Sequence, residues 1–147
     1  MIDRNSTRAF FQKRLIDNIA SVPFVAAQIV WPNVPDTGVD KTALWVRVFY
    51  TSIGEEYQTF GDGGTVVLHD LCQIEIFRPI AGRSPGTKDA LDAVTALMEL
   101  FKIGTQGKAD ATTAVYIDTT RPHDVGQFDA AYHREAMQFI YRAYGPN

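Results

Sequence analysis

The sequence is short of several things, and each shortage excludes a class of protein. It has one cysteine, Cys72, in 147 residues, so no internal disulfide can form and no oxidising compartment is indicated. Neither a CxxC pair nor a helix N-terminus accompanies that thiol. Its alternation with Gln73 reads as a small buried hydrophobe. No apolar run approaches the roughly eighteen residues of a membrane span. The opening Met1-Ile2-Asp3-Arg4-Asn5 lacks the apolar centre of a secretory leader, so an intracellular product is expected. Positive charge is not in excess: 14 Lys and Arg against 17 Asp and Glu leave a formal charge of −3. That argues against a dedicated nucleic-acid binder, whose phosphate contacts want a basic surface. Internal repeats and low-complexity segments are also missing. What remains, 46% hydrophobic and 21% charged, is the composition of an ordinary folded domain, and residues 1–147 read as one.

The chain is organised around Leu71 to Phe101. An apolar run, Leu71-Cys72-Gln73-Ile74-Glu75-Ile76-Phe77, is stopped by Pro79, which lacks the donor a central strand needs. The turn Ala81-Gly82-Arg83-Ser84-Pro85-Gly86 follows. Leu91, Val94, Leu97, Met98 and Phe101 then recur at helical spacing, with Thr87 as N-cap and Asp89 in the first turn. Ala90 and Ala93 let this face approach its partner closely. A strand feeding an amphipathic helix predicts a sheet with a helix laid across it.

Upstream, residues 6–20 read as a helix capped by Ser6 or Thr7, with a stripe of Phe11, Leu15 and Ile19. Pro23 ends it. Phe24 to Trp31 allows a short strand, and Trp31-Pro32-Asn33-Val34-Pro35 is a stiff connector before the turn Asp36-Thr37-Gly38. A strand is expected from Ala43 to about Ile53, with Leu44, Val46 and Val48 on one face and Trp45, Arg47 and Phe49 on the other. Both sets are largely apolar, so both faces should be covered, the second by something other than the helices, such as another copy. Gly54 to Asp70 reads as a long β-hairpin arm with its tip at Gly61-Asp62-Gly63-Gly64. Such an arm is often an interaction device.

Downstream, Lys102 to Ala109 reads as a loop, Thr112 to Thr119 as a strand, and Arg121 to Gly126 as a turn. A last strand, Ala131 to Tyr144, puts His133, Glu135, Met137, Phe139 and Tyr141 on one face. Its length predicts an overhang beyond the sheet. The fold class is α+β: a mostly antiparallel β-sheet with two α-helices packed on one face and a long β-hairpin arm.

Motifs for chemistry fall short. Gly82-Arg83-Ser84-Pro85-Gly86-Thr87-Lys88 resembles a phosphate loop, but three residues separate its glycines where four are needed, and Thr precedes Lys. Pro85 also removes a cradling amide. His69, His123 and His133 each have a carboxylate nearby, in Asp70, Asp124 and Glu135. His133 and Glu135 share a strand face, yet no third ligand stands at metal spacing. Glu55 and Glu56 are adjacent and so point apart on a strand, which denies them an acid/base partnership. No GxSxG elbow exists. No catalytic, cofactor or metal site is expected.

Several fragments, in order, resemble a family of phage tail-terminator proteins, tail-completion proteins of long-tailed phages of the lambda type. They are Trp31-Pro32-Asn33-Val34-Pro35, Ala43 through Val48, and Gln73-Ile74-Glu75-Ile76-Phe77-Arg78-Pro79 leading through Gly82 and Gly86 into the helix ending at Phe101. Tyr132-His133-Arg134 and the alternating residues through Tyr144 complete the set. In one departure, His69-Asp70-Leu71 stand where the family often has a glycine before the central strand. The resemblance implies a non-enzymatic virion subunit. It would close into a homohexameric ring on the last tail-tube ring, stop tube growth and offer a surface to a head-completion or neck protein. Six copies would carry about −18, and an acidic lumen lets DNA pass without sticking. A head–tail connector is the alternative within the class. A small-molecule-binding or hydrolytic domain using His133, Glu135 and Gly82–Lys88 is the alternative outside it. Closed rings join one patch to a different patch on the neighbour. Candidates for those patches are Arg47, Glu55, Glu56, Tyr57, Phe60, Val66, Leu68, Tyr132 and Arg134.

Overall fold

The computed structural model describes residues 1–58, 64–80, 88–123 and 132–146. Helix α1 (Arg4–Asp17) is followed by strands β1 (Ile29–Val30), β2 (Trp45–Tyr57) and β3 (Thr65–Pro79). Helix α2 (Lys88–Leu100) and strands β4 (Gln106–Lys108), β5 (Ala114–His123) and β6 (Tyr132–Pro146) complete the chain. The six strands form one sheet in the order β1-β2-β3-β6-β5-β4, antiparallel except where β1 joins β2. The α+β expectation is met.

Two strands of 15 residues, β3 and β6, pair along their whole length from Thr65↔Pro146 to Pro79↔Tyr132. This corrects two expectations. The arm and the central strand are not separate elements, because Thr65 to Asp70 is the first part of β3 and is flanked by β2 and β6. Nor does β6 overhang: β3 lies on one side of it and β5 on the other. Length alone cannot distinguish an overhanging strand from one paired with an equally long neighbour. The hairpin tip at residues 59–63 lies outside the described residues.

Other boundaries moved for local reasons. Helix α1 is capped by Asp3, whose carboxylate accepts from the Asn5 amide at 2.9 Å and the Ser6 hydroxyl at 2.8 Å. Ser6 and Thr7 therefore sit inside the helix, and Thr7 turns its hydroxyl to the Arg4 carbonyl at 2.8 Å. The helix stops at Asp17, which leaves Ile19 in a 3-10 turn. The loop expected at Lys102–Ala109 contains β4. Arg121-Pro122-His123, expected in a turn, continue β5. Pro122 is tolerated there because β4 reaches only Ala114 to Tyr116, so the outer edge of β5 at Pro122 asks for no donor.

The helices cover one face. Phe11 packs its ring at 4.4 Å from Tyr141 and 5.1 Å from Phe139, and Phe139 stacks on Phe101 at 4.7 Å. From the sheet, Val46, Val48, Leu68, Cys72, Ile74, Ile76, Val115, Ile117 and Met137 join this core. In α2, Ala90, Ala93 and Leu97 are fully buried and the small alanines allow close approach to the sheet. Leu91 does not join them. It is 48% exposed, because the buried face is centred on Ala90, Ala93, Val94 and Leu97 and leaves it at the rim.

Candidate assembly surface

Among the described residues, no helix lies over the other face of the sheet. At one end Trp45 stacks on Phe77 at 4.3 Å, with Tyr132 edge-on to both and Val30 and Val39 alongside. Lys41 lies over the Trp45 ring at 5.8 Å, and Gln28 ties that loop down through the Asp40 and Leu44 carbonyls at 2.8 and 3.0 Å. Among the described residues, the expected second cover exists only here, from the chain's own loop.

Beside this aromatic cluster sits Glu75, 4% exposed in the middle of β3. Arg47 on β2 and Arg134 on β6 reach it from either side, both onto Oε2, at 3.1 and 3.2 Å. Arg47 also lies over the Phe77 ring at 5.3 Å. Burying a carboxylate is costly unless it is paired, and two guanidiniums on one oxygen meet that need. One row further, exposed Arg121 donates to the Gln138 side-chain oxygen from Nε and Nη2, each at 2.6 Å. A neutral amide does not offset that charge. Half-buried Phe49, Leu71, Gln73 and Ile140 lie between these arginines and the far end of the sheet.

The far end carries Glu56, with His69 and Arg142 on the same face and Arg142 donating to Asp118 at 2.9 Å. A β-bulge at Ile53, between the pairs Ser52↔Asp70 and Gly54↔His69, inverts the alternation of β2. As a result Glu56, nine residues beyond Arg47, shares the open face with it and approaches His69 at 3.7 Å. Glu55 is thrown to the helix side, where Arg4 donates to it at 3.0 Å. Ile53 and Tyr57 are 55% and 50% exposed.

Behind this end, on the helix side, Asp70 is fully buried. Its Oδ2 accepts from the Tyr141 hydroxyl at 3.3 Å and lies 3.5 Å from Arg4 Nε, whereas Oδ1 has no hydrogen-bond partner among the described residues. Burial pushes its pKa above the usual carboxylate range, and nearby Arg4 and Arg8 oppose the shift. Burial likewise raises the Cys72 thiol far from a reactive value, in keeping with a buried hydrophobe.

The candidates from sequence thus separate. Arg47, Tyr132 and Arg134 gather at one end of the open face, and Glu56 at the other. Glu55 and Tyr57 stand at that same end of β2, both on the helix side, opposite the core residues Leu68 and Val66. Val66 and Leu68 are corrected: at 5% and 0% exposure they belong to the molecule's own core and offer no surface. Phe60 lies outside the described residues, as do residues 82–87 of the phosphate-loop lookalike. His133 and Glu135 do meet, at 2.7 Å on the helix side. No group of three or more His, Cys, Asp or Glu side chains able to hold a metal occurs among the described residues. Sequence reasoning missed Glu75, Arg121, Asp70 and the Ile53 bulge. Only Glu75 carried a signal, as a charge inside an apolar run.

No family model and no curated protein matches the chain. Nineteen chains of solved structures match it. Among them is a protein whose name carries no functional word, with a TM-score of 0.67 and 19% identity over 97% of this chain and 96% of that one. At that identity the likeness shows the fold alone. No helix among the described residues is long and apolar enough to cross a membrane.

Proposed function

We propose that this chain is a structural subunit that assembles side by side into a closed ring, and that the ring caps a phage tail tube as a tail terminator. The sequence resemblance supplies the tube, the six-fold count and the adjoining head-completion protein. The observation that carries the reading is the inequality of the two sheet faces. One is sealed by α1 and α2, while the other leaves Phe49, Leu71 and Ile140 half-buried beside ordered arginines. A centre of modest apolar area with a charged rim is the usual anatomy of a protein interface. Ring closure also wants two different patches on each copy, and the arginine end and the Glu56 end of β2 are different patches.

The test is mass and length. The purified chain should show a concentration-dependent six-fold species in sedimentation or native mass measurement. Added to polymerising tail-tube protein, it should stop elongation and appear as a ring at one tube end. A chain that remains monomeric and leaves tube length unchanged refutes the reading. A ring that binds a portal assembly and ignores tubes points instead to a head–tail connector.

A further inference from the structure

The ring reading leaves open which surfaces meet, and the two lateral edges of the sheet supply a pair. We infer that Tyr57 of one copy, on the helix side of β2, seats in a groove on the open face of the next copy, where β4, β5 and β6 lie side by side. Tyr116 and Tyr144 wall that groove, Ala114 is its floor, and Gln106 and Lys108 form its rim. This inference rests on the ring reading and adds the partner surfaces to it.

The groove follows from the pairing. Gln106↔Tyr116, Lys108↔Ala114 and Ala114↔Tyr144 put five side chains on one face, while Val115 and Ile117 between them enter the core. Two half-buried tyrosines on either side of one alanine leave a groove of about 640 Å³. Half-buried Ile140, next on this face of β6 after Arg142, extends the receiving surface. What should fill it is an aromatic ring, and Tyr57 is 50% exposed, more than any other Phe, Tyr or Trp among the described residues. Ile53, 55% exposed on the same strand, adds apolar area.

Three features of placement make the occupant a second copy. First, Tyr57 cannot fill the groove of its own chain: the two lie on opposite faces, and β3 and β6 separate β2 from β5 by roughly 14 Å. Second, Tyr57 pairs with Val66 and Val66 with Gly145, so Tyr57 stands level with the residue after Tyr144. A sideways step with no slide along the strands brings it to the next groove. Third, helix side meets open face, so both copies keep one orientation and overlap like tiles. Such a contact is heterologous, as a closed ring requires, whereas like faces would meet about a two-fold axis and stop at a dimer. Charge does not oppose the contact. Arg4 with Glu55 beside Tyr57, and Arg142 with Asp118 beside the groove, are each paired within the chain. Exposed Lys108 can keep its ammonium in water at the rim.

Removing the ring and filling the groove test the two sides separately. Tyr57→Ser and Ala114→Trp both change exposed positions, and thermal melting monitored by circular dichroism checks that each variant folds. In sedimentation of the full chain, each should weaken self-assembly by about tenfold or more. A thiol cross-link then reads the contact itself. Cys72 is buried, so Tyr57→Cys and Ala114→Cys each carry one accessible thiol. With a short bis-maleimide, a mixture of these two variants should give a covalent dimer that neither gives alone. The double variant Tyr57→Cys/Ala114→Cys should give a ladder ending at six. Folded Tyr57→Ser and Ala114→Trp chains that assemble like the wild type overturn the assignment, and so does a mixture that yields no dimer while the wild type assembles. Both of those outcomes leave the ring reading standing. Tyr57→Cys chains that link to one another mark a two-fold contact and also overturn it. A wild-type chain that never exceeds a monomer, in free solution or at tube ends, removes the ring reading and this one with it.

Discussion

Phe139 and Ile140 are neighbours on β6 and face opposite worlds. Phe139 is 1% exposed, packed against Phe101 and Phe11 under the helices, while Ile140 is half-buried on the face over which, among the described residues, no helix lies. The pattern repeats on β3, where Cys72, Ile74 and Ile76 enter the core and Leu71, Gln73 and Glu75 do not. One sheet therefore carries two kinds of residue at alternate positions. The helix side has a job in folding that is already complete within one chain. The open side holds half-buried hydrophobes and fixed charges, so on the proposed ring reading the difference between the faces would separate stability from assembly.

The sharpest way to break that comparison is to truncate each side. Phe139→Ala should destabilise the protein by about 3–5 kcal/mol, because it removes buried contacts and leaves a cavity among rings that cannot all collapse into it. Urea unfolding monitored by circular dichroism reads this directly. A loss near that of a surface residue would mean the helices are not the principal cover. Next in size is Glu75→Gln. It removes the carboxylate between Arg47 and Arg134, but both guanidiniums retain access to water, so the cost should be about 1–2 kcal/mol rather than that of a sealed pair. The same change adds positive charge to the open face. Assembly should therefore shift more than the unfolding midpoint does.

The sequence made the helix side legible and much of the open side obscure, for a physical reason. Period-two alternation reports which residues share a face, and it placed Val46 and Val48 opposite Trp45 and Arg47 correctly. It carries no information on strand order, and the length of β6 alone suggested an overhang although β3 and β5 pair with it on either side. It also fails across a bulge: Glu55 and Glu56 exchange faces at Ile53, and no residue there announces the extra position. The arm was overdrawn for a related cause. Gly54 and the glycines near 61–64 suggested a break, yet main-chain pairing carries β2 and β3 to Tyr57↔Val66 and buries Val66 and Leu68. Cap choice was a near miss of three or four residues, since Asp3 and Ser6 are both good caps and only their hydrogen bonds discriminate.

A third expectation concerns pH and belongs to the helix side. Asp70 is an acid whose folded pKa is raised by burial, so the folded state holds its proton more tightly than the unfolded chain. The protein gains relative stability from this group at pH below the usual carboxylate range. It loses that contribution as pH rises through the elevated folded value. Asp70→Asn keeps an acceptor for the Tyr141 hydroxyl and cannot ionise. Its melting temperature should fall less than that of the wild type as pH rises from acid toward neutral, and parallel curves would show that Asp70 is not responsible. Arg4 and Arg8 lie close enough to moderate the slope, so their replacement by Gln in the wild-type background should steepen it.

The smallest effect on folding is expected where the effect on assembly is large. Ile140→Thr keeps a β-branched side chain suited to a strand and removes apolar surface from a position that is only half-buried, so stability should change by less than about 1 kcal/mol. On the open face the same substitution takes an apolar anchor from between the arginines and the far end. It puts there a hydroxyl that must find a partner once a neighbour excludes water. Association should therefore weaken by more than the monomer does, and the two measurements should diverge for Ile140→Thr as they coincide for Phe139→Ala. If sedimentation instead returns wild-type assembly while the monomer is clearly weakened, Ile140 belongs with the core, and the distinction between the two faces fails at the position where it is easiest to measure.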